Sequence, residues 1–162
     1  MVNNIFKCIL KLIPQKTAYA HCDIPCGIYD PYVVQRAAHT VIRMTQLLSE
    51  VKRENETKAE HDIARLTRVK EEHSDLLEEE LETLRNDYFS QEHFADYPEL
   101  EELFVKTLKS SVKARQNIDM QAAKETLEGT KDIAEIFYKT KGVEPVRVKS
   151  VYPTKEEIVL HK

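Results

Sequence analysis

Apolar side chains recur at every third or fourth position in four stretches of the chain after residue 30. This spacing places them on one face of an α-helix, so each stretch predicts an amphipathic helix. The four predicted helices span about residues 31-53, 56-86, 98-115 and 119-141. The apolar stripe of the first helix consists of Val34, Ala37, Val41, Met44 and Leu48.

Residues at the ends of these stretches support the predicted boundaries. Asp30 followed by Pro31 is typical of a helix start, and Gly142 is typical of a helix stop. Because the connections are short and no single stripe can be buried alone, we predict an all-α fold, an antiparallel four-helix bundle. The last segment, 142-162, is rich in β-branched residues and proline, and we expect it to be an extended tail.

Two polar residues interrupt the apolar stripe of the second predicted helix. Lys70 and His73 occupy positions at which apolar side chains are expected. Long polar side chains at such positions either reach out to the rim of the core or serve a site inside it. Both interpretations remain open at this point.

Composition agrees with one helical domain, since 41% of the residues are hydrophobic, 32% are charged, and only three are glycine. The formal net charge is −4, which makes a nucleic-acid partner unexpected. Lysines interrupt the apolar run near the start, so no segment approaches the ~20 apolar residues of a membrane-spanning helix. We therefore expect no membrane partner.

Residues 1-20 have the composition of a leader. They are basic, lack acids and end in Ala18-Tyr19-Ala20, which resembles the cleavage site of a secretory signal peptide. Export, another kind of processing and an uncleaved amphipathic helix remain open as interpretations. Cleavage after Ala20 would make His21 a free N-terminus.

A bundle rich in carboxylates raises the hypothesis of a di-iron site, which requires Glu-x-x-His pairs facing the interior. No histidine of this chain has a glutamate three residues before it, so the hypothesis fails. The histidines within the predicted bundle and tail are expected at the surface or in loops. They are His39, His61, His73, His93 and His161.

The segment HCDIPCGIYDP, from His21 to Pro31, concentrates two of the three cysteines beside the potential N-terminus. With His21 at the chain end, its amine, the amide nitrogen of Cys22 and the Cys22 thiolate can close two adjacent chelate rings on one metal ion. Cys26 can complete a planar set of nitrogen and sulfur donors, which favours Cu(II) or Ni(II) over zinc. A Cys22-Cys26 disulfide in an exported protein is the alternative.

These residues resemble the N-terminal hook of the nickel-containing superoxide dismutases, which has the form His-Cys-Asp-x-Pro-Cys-Gly-x-Tyr-Asp-Pro. A second block that occurs in the family between helices 2 and 3 is also present, and the resemblance covers about residues 21-141. The matching residues of this block are Asp87, Tyr88, Phe89, His93, Phe94, Tyr97, Pro98, Glu99 and Leu100.

The resemblance implies disproportionation of superoxide by Ni(II)/Ni(III) cycling, with one nickel ion per subunit of a homohexamer. The metal ligands would come from His21, Cys22 and Cys26, within a hook spanning 21-30. The remaining site residues by this resemblance are Tyr29, Tyr88 and Asp23 for catalysis and anchoring, and Pro25 and Gly27 for the shape of the hook.

The chain departs from better-known members of the family around the metal. By the resemblance, the imidazole of His21 would be an axial ligand of the metal. Where better-known members brace this imidazole with a glutamate and an arginine, this chain has Ala37 and His73. Where they carry a lysine after Asp-Tyr-Phe, it has Ser90. His73 could take over part of the bracing, and Lys70 or Arg36 could supply the missing positive charge.

The resemblance also bears on maturation and location. Family members carry a short extension that a dedicated protease removes, so we expect 1-20 to be a propeptide, 21-162 to be the mature chain, and the compartment to be cytoplasmic. Two alternatives remain. One is an exported or periplasmic helical binding or structural protein with a Cys22-Cys26 disulfide, and the other is a nickel or copper carrier.

Overall fold

The computed structural model describes residues 26–162 and contains four long helices, one short helix and a two-stranded sheet. No helix in this part of the chain combines the length and apolarity that crossing a membrane requires. In chain order the elements are α1 (Tyr32–Ser49), α2 (Glu56–Thr83), α3 (Gln91–Asp96), α4 (Leu100–Gln116), α5 (Met120–Thr140), β1 (Pro145–Lys149) and β2 (Glu157–His161).

Side chains just before the helices satisfy backbone N–H groups that have no partner within the helix. Asp30 Oδ1 accepts the N–H of Tyr32 at 2.7 Å, at the start of α1. Asn55 and Asp119 cap α2 and α5 in the same manner, by accepting backbone N–H groups three residues ahead. The predicted helices therefore exist, and the first is a few residues shorter than expected.

The predicted apolar stripes form one continuous core between the long helices. Val34, Ala37 and Val41 of α1 are buried against residues such as Leu77 and Phe104. The all-α bundle is confirmed. Helices α4 and α5 approach closely where Gly129 faces Thr107, because a Cβ at Gly129 would lie 2.0 Å from Thr107 Oγ1.

Helix α2 ends in a wider turn than predicted. Leu84–Tyr88 is a π-helical turn, closed by a bond of 2.9 Å from the Phe89 N–H to the Leu84 carbonyl. Such turns insert one extra residue and often occur at functional sites. The capped helix α3 follows, within the block of aromatic residues between the second and third predicted helices, with Ser90 as its N-cap.

The segment after Gly142 is not the extended tail that we expected. Its β-branched residues pair as an antiparallel hairpin of β1 and β2, in which Arg147 lies opposite Val159. The inward side of β2 joins the core of the bundle, and Val159 is fully buried. Residues far apart in the chain, on α1 and α5, provide the surface that orders this segment.

Helix α1 binds the hairpin through three polar side chains on one face. The buried amide of Gln35 donates to the Val159 carbonyl at 3.1 Å and accepts the Val159 N–H at 2.7 Å, as a neighbouring strand would. The Tyr32 and Tyr152 hydroxyls lie 2.7 Å apart. His39 Nε2 donates to the Glu157 carbonyl at 3.2 Å.

His39 was expected at the surface or in a loop, and this prediction is wrong. The ring is buried between α1 and the hairpin, and Nδ1 lies 2.7 Å from Thr154 Oγ1. Burial lowers the pKa of His39, since desolvation disfavours the charged imidazolium. No sequence pattern within α1 indicates this environment, because the covering segment is more than 100 residues away in the chain.

On its other side the hairpin is tied to α5 by one arginine. The Arg147 guanidinium contacts Glu128 at 3.0 Å and Asp132 and Glu135 at 2.5 Å each. These carboxylates lie on one face of α5, four and three residues apart. Burial disfavours the charge of Arg147, but the carboxylates outweigh it and raise the pKa of Arg147. Through these contacts the guanidinium bridges β1 to the helix.

Candidate active site

The described part of the predicted hook runs from Cys26 to Asp30 and leads directly into α1. Gly27 has a φ of +71°, a conformation that glycine adopts without the strain that a side chain would cause. The Ile28 N–H donates to Cys26 Sγ at 3.4 Å. The other predicted hook residues, His21, Cys22, Asp23 and Pro25, and the cleavage position after Ala20, lie outside the described residues.

The donor chemistry of this segment fits a metal-binding thiolate. Cys26 is exposed, and its sulfur accepts the backbone N–H of Ile28. Within residues 26–162, no group of three or more His, Cys, Asp and Glu side chains could hold a metal ion. Cys26 is the one predicted metal ligand among the described residues, and it is exposed, so a metal ion could reach it.

Tyr29 and Tyr88 lie next to each other, although they are 59 residues apart in the chain. Their ring centroids are 5.5 Å apart, and the ring planes are tilted by 51°. The antiparallel bundle explains this proximity, because the start of α1 and the ends of α2 and α5 meet at the same end. The hook thus begins beside the π-helical turn that carries Tyr88.

Aromatic rings and one cation fix the position of Tyr88. Its ring contacts those of Phe89 and Phe137, with centroid separations of 4.9 and 4.5 Å. The Lys141 ammonium lies 4.7 Å from the centroid of the Tyr88 ring, within the range of a cation–π interaction. The Tyr88 hydroxyl lies 2.6 Å from Thr140 Oγ1.

Lys141 and Thr140 are two polar residues beside Tyr88 that the sequence did not reveal. Both lie at the end of α5, directly before Gly142. An up-and-down arrangement of four helices places this end beside the end of α2, so the predicted topology could have indicated them. The residues predicted to replace the lysine that family members carry at the position of Ser90 were instead Lys70 and Arg36.

Lys70 is held by a different part of the bundle. Its buried ammonium donates to the Ala114 carbonyl at 2.8 Å and to the Asn117 carbonyl at 2.6 Å, where α4 ends. Desolvation lowers the pKa of Lys70. Eighteen residues separate Lys70 from Tyr88, about 27 Å along the helix, so the structure does not bring its charge to the tyrosines.

His73 and Arg36 are not brought to the tyrosine pair either. His73 is half-buried, and its Nδ1 donates to the Val69 carbonyl of its own helix at 2.9 Å. It lies about 22 Å from Tyr88 along α2. Arg36 is exposed on α1 beside the hairpin residue Tyr152. Ala37 is fully buried and has no polar side-chain atom.

A third tyrosine, Tyr138, lies at the base of the hook, near Asp30. Tyr138 is buried on α5, and its ring centroid is 5.1 Å from that of His161 on β2. Burial and, to a smaller extent, the nearby Asp30 carboxylate together raise the pKa of Tyr138 to about 12. Tyr138 therefore stays protonated in neutral solution and contributes no charge to the site.

Comparisons with known proteins agree on one family over most of the chain. The sequence profile of the nickel-containing superoxide dismutases matches residues 16–141. A superoxide dismutase [Ni] from Streptomyces coelicolor is 34% identical over 128 residues, which cover 79% of this chain and 93% of that protein. One from Streptomyces seoulensis is 33% identical over 131 residues, with the same coverage.

The fold agrees with a solved structure of native nickel superoxide dismutase. The TM-score is 0.67 at 32% sequence identity, and the match covers 75% of this chain and 99% of that chain. The profile match ends at residue 141, so the hairpin of β1 and β2 follows the region shared with the family.

Proposed function

The chain belongs to the nickel-containing superoxide dismutase family, and from this we propose that it disproportionates superoxide to dioxygen and hydrogen peroxide. In this reaction one superoxide gives up an electron and leaves as dioxygen. A second takes up that electron and two protons and leaves as hydrogen peroxide. The observation that carries the proposal is the hook sequence, with Cys26 exposed and Tyr29 seated beside Tyr88.

The nickel ligands would be the amine and imidazole of His21, the amide nitrogen and thiolate of Cys22, and the thiolate of Cys26. When bound, nickel supplies one-electron redox chemistry between Ni(II) and Ni(III), with one ion per subunit. Asp23 and Pro25 would anchor and shape the hook. The positive φ of Gly27 supports a turn immediately after Cys26.

Tyr29 would position the small oxygen species and limit access to the thiolates, with Tyr88 as its neighbour. The distance of 5.5 Å between their ring centroids supports a shared role beside the hook. Lys141 would supply positive charge there. The net charge of the chain is −4, so a local cation helps to gather an anionic substrate.

Maturation, assembly and location form a further part of the proposal. A processing protease would cut after Ala20, the mature chains would form a homohexamer, and the protein would act in the cytoplasm, where thiols stay reduced. The chemistry of the hook supports the cleavage, since the His21 amine becomes available only at a chain end.

Metal analysis of the mature protein, combined with mass spectrometry of its N-terminus, tests the proposed function. We expect a chain that begins at His21, about one nickel ion per chain, and superoxide dismutation. A chain that binds nickel or copper without dismutation would be a carrier instead. A chain with no metal and an oxidised Cys22-Cys26 pair would be the exported disulfide protein, and the proposal would be wrong.

Replacing Lys141 with Met is expected to lower kcat/KM about threefold to tenfold and to weaken its dependence on ionic strength, because the substitution removes the cation above Tyr88. Stopped-flow measurement of superoxide decay at several salt concentrations checks this. Lys139→Met is the matched control, since Lys139 is exposed two residues away. Equal losses in the two variants would mean that only overall charge matters.

A further inference from the structure

A short chain of hydrogen bonds links Tyr88 to the end of α5. The Tyr88 hydroxyl lies 2.6 Å from Thr140 Oγ1, and Thr140 Oγ1 lies 2.7 Å from the Phe137 carbonyl oxygen. All three groups lie next to the hook, because Tyr88 packs against Tyr29.

The direction of these hydrogen bonds follows from the groups themselves. The Phe137 carbonyl can only accept, so the single hydroxyl hydrogen of Thr140 must be donated to it. Threonine in a helix commonly donates to a carbonyl one turn earlier in this way. Thr140 then has no hydrogen left for Tyr88, and the phenol must be the donor of the shorter bond.

We propose that Thr140 is a positioning residue that fixes the phenol hydrogen of Tyr88. With its hydrogen committed to Thr140, Tyr88 offers only a lone pair to other groups beside the hook. It therefore accepts a hydrogen bond there, from water or from another hydroxyl such as that of Tyr29, and donates none to an anion. Donation of a proton to the reduced oxygen species falls to those other groups.

The surroundings of Tyr88 keep this assignment stable. Phe89, Phe137 and the Lys141 ammonium hold the ring from several sides. Loss of the Thr140 hydroxyl would therefore release the phenol hydrogen without releasing the ring. The Phe137 carbonyl would keep a partner, since it also accepts the Lys141 N–H at 3.2 Å.

The inference concerning catalysis rests on the proposed function, whereas the hydrogen-bond direction does not. The first measurement therefore uses the full-length, metal-free protein with tyrosines labelled with ¹³C at Cζ, whose chemical shift reports the hydrogen bonding of the phenol. Tyr88→Phe identifies the Tyr88 resonance. Thr140→Val removes the hydroxyl at nearly constant volume, and Thr140→Ser retains it.

We expect Thr140→Val to move the Tyr88 resonance and Thr140→Ser to leave it near its original position. In the nickel-loaded protein, Thr140→Val should change the pH profile of kcat/KM and lower its plateau about threefold to tenfold, the range that one hydrogen bond supports. The Thr140→Ser variant should retain the original pH profile and plateau of kcat/KM.

An unchanged Tyr88 resonance in a folded Thr140→Val protein would overturn the proposal, as would identical behaviour of the valine and serine variants. Circular dichroism and thermal unfolding establish that the variants are folded. If the resonance moves while no variant shows dismutation, including the original chain, the hydrogen-bond assignment stands and the proposed function fails.

Discussion

A mature chain with one additional residue before His21 is expected to lose the proposed nickel site and with it more than about 100-fold of its dismutase activity. Removal of a residue that only supports a metal ligand lowers metal affinity or activity by up to about 100-fold. Here a proposed ligand itself is displaced, so we expect a larger loss. The added residue converts the His21 amine into an amide and moves the free amine out of the chelate ring. The same loss is expected when cleavage after Ala20 is blocked.

Nickel content, superoxide decay and circular dichroism measure this prediction together. The helices should be unaffected, because the bundle begins at Tyr32, well after the altered position. One residue added after Lys162 is the matched control and should retain nickel and activity. Full nickel content and activity in the N-terminally extended chain would show that the ligand set proposed for the hook is wrong.

Replacing Gln35 with Leu is expected to lower the free energy of unfolding by about 2 to 5 kcal/mol, although leucine is more hydrophobic. The substitution would leave the N–H and the carbonyl of Val159 buried without their partner. Each such group costs about 1 to 3 kcal/mol. Chemical denaturation followed by circular dichroism measures the difference.

Gln121→Leu is a suitable control for this experiment. Gln121 is an exposed glutamine on α5 and bonds only to the side chain of Glu125 among the described contacts. Its replacement should change the free energy of unfolding by no more than about 0.5 kcal/mol. If Gln35→Leu proved equally mild, the hairpin would not depend on the Gln35 amide for its attachment to α1.

The helices were predictable because each depends on residues that are close in the chain. The stripe of Val34, Ala37 and Val41 indicates both the helix and the face that becomes buried. The π-helical turn that ends at Tyr88 was not predicted. It widens the last turn of α2 through packing at the end of the bundle, and a pattern with a period of 3.6 residues contains no sign of it.

The tail shows how a local pattern can be correct and still incomplete. Its β-branched residues indicated extended backbone, and β1 and β2 are indeed extended. Their pairing, and the burial of Val159, require Gln35 on α1 and the carboxylates that bind Arg147 on α5. The same packing explains why His39, predicted at the surface, is buried.

The sequence by itself determined the helical stripes and the order of the histidine and cysteine residues in the hook, because both depend on covalent neighbours and short spacing. Only the tertiary structure decided which distant groups surround the hook. Tyr88, Thr140 and Lys141 meet Tyr29 because antiparallel helices bring the end of α2 and the end of α5 to the start of α1. Lys70, equally cationic, is committed to the carbonyls at the end of α4. Helix packing, and not the charge of a residue, therefore determines which lysine can serve the site.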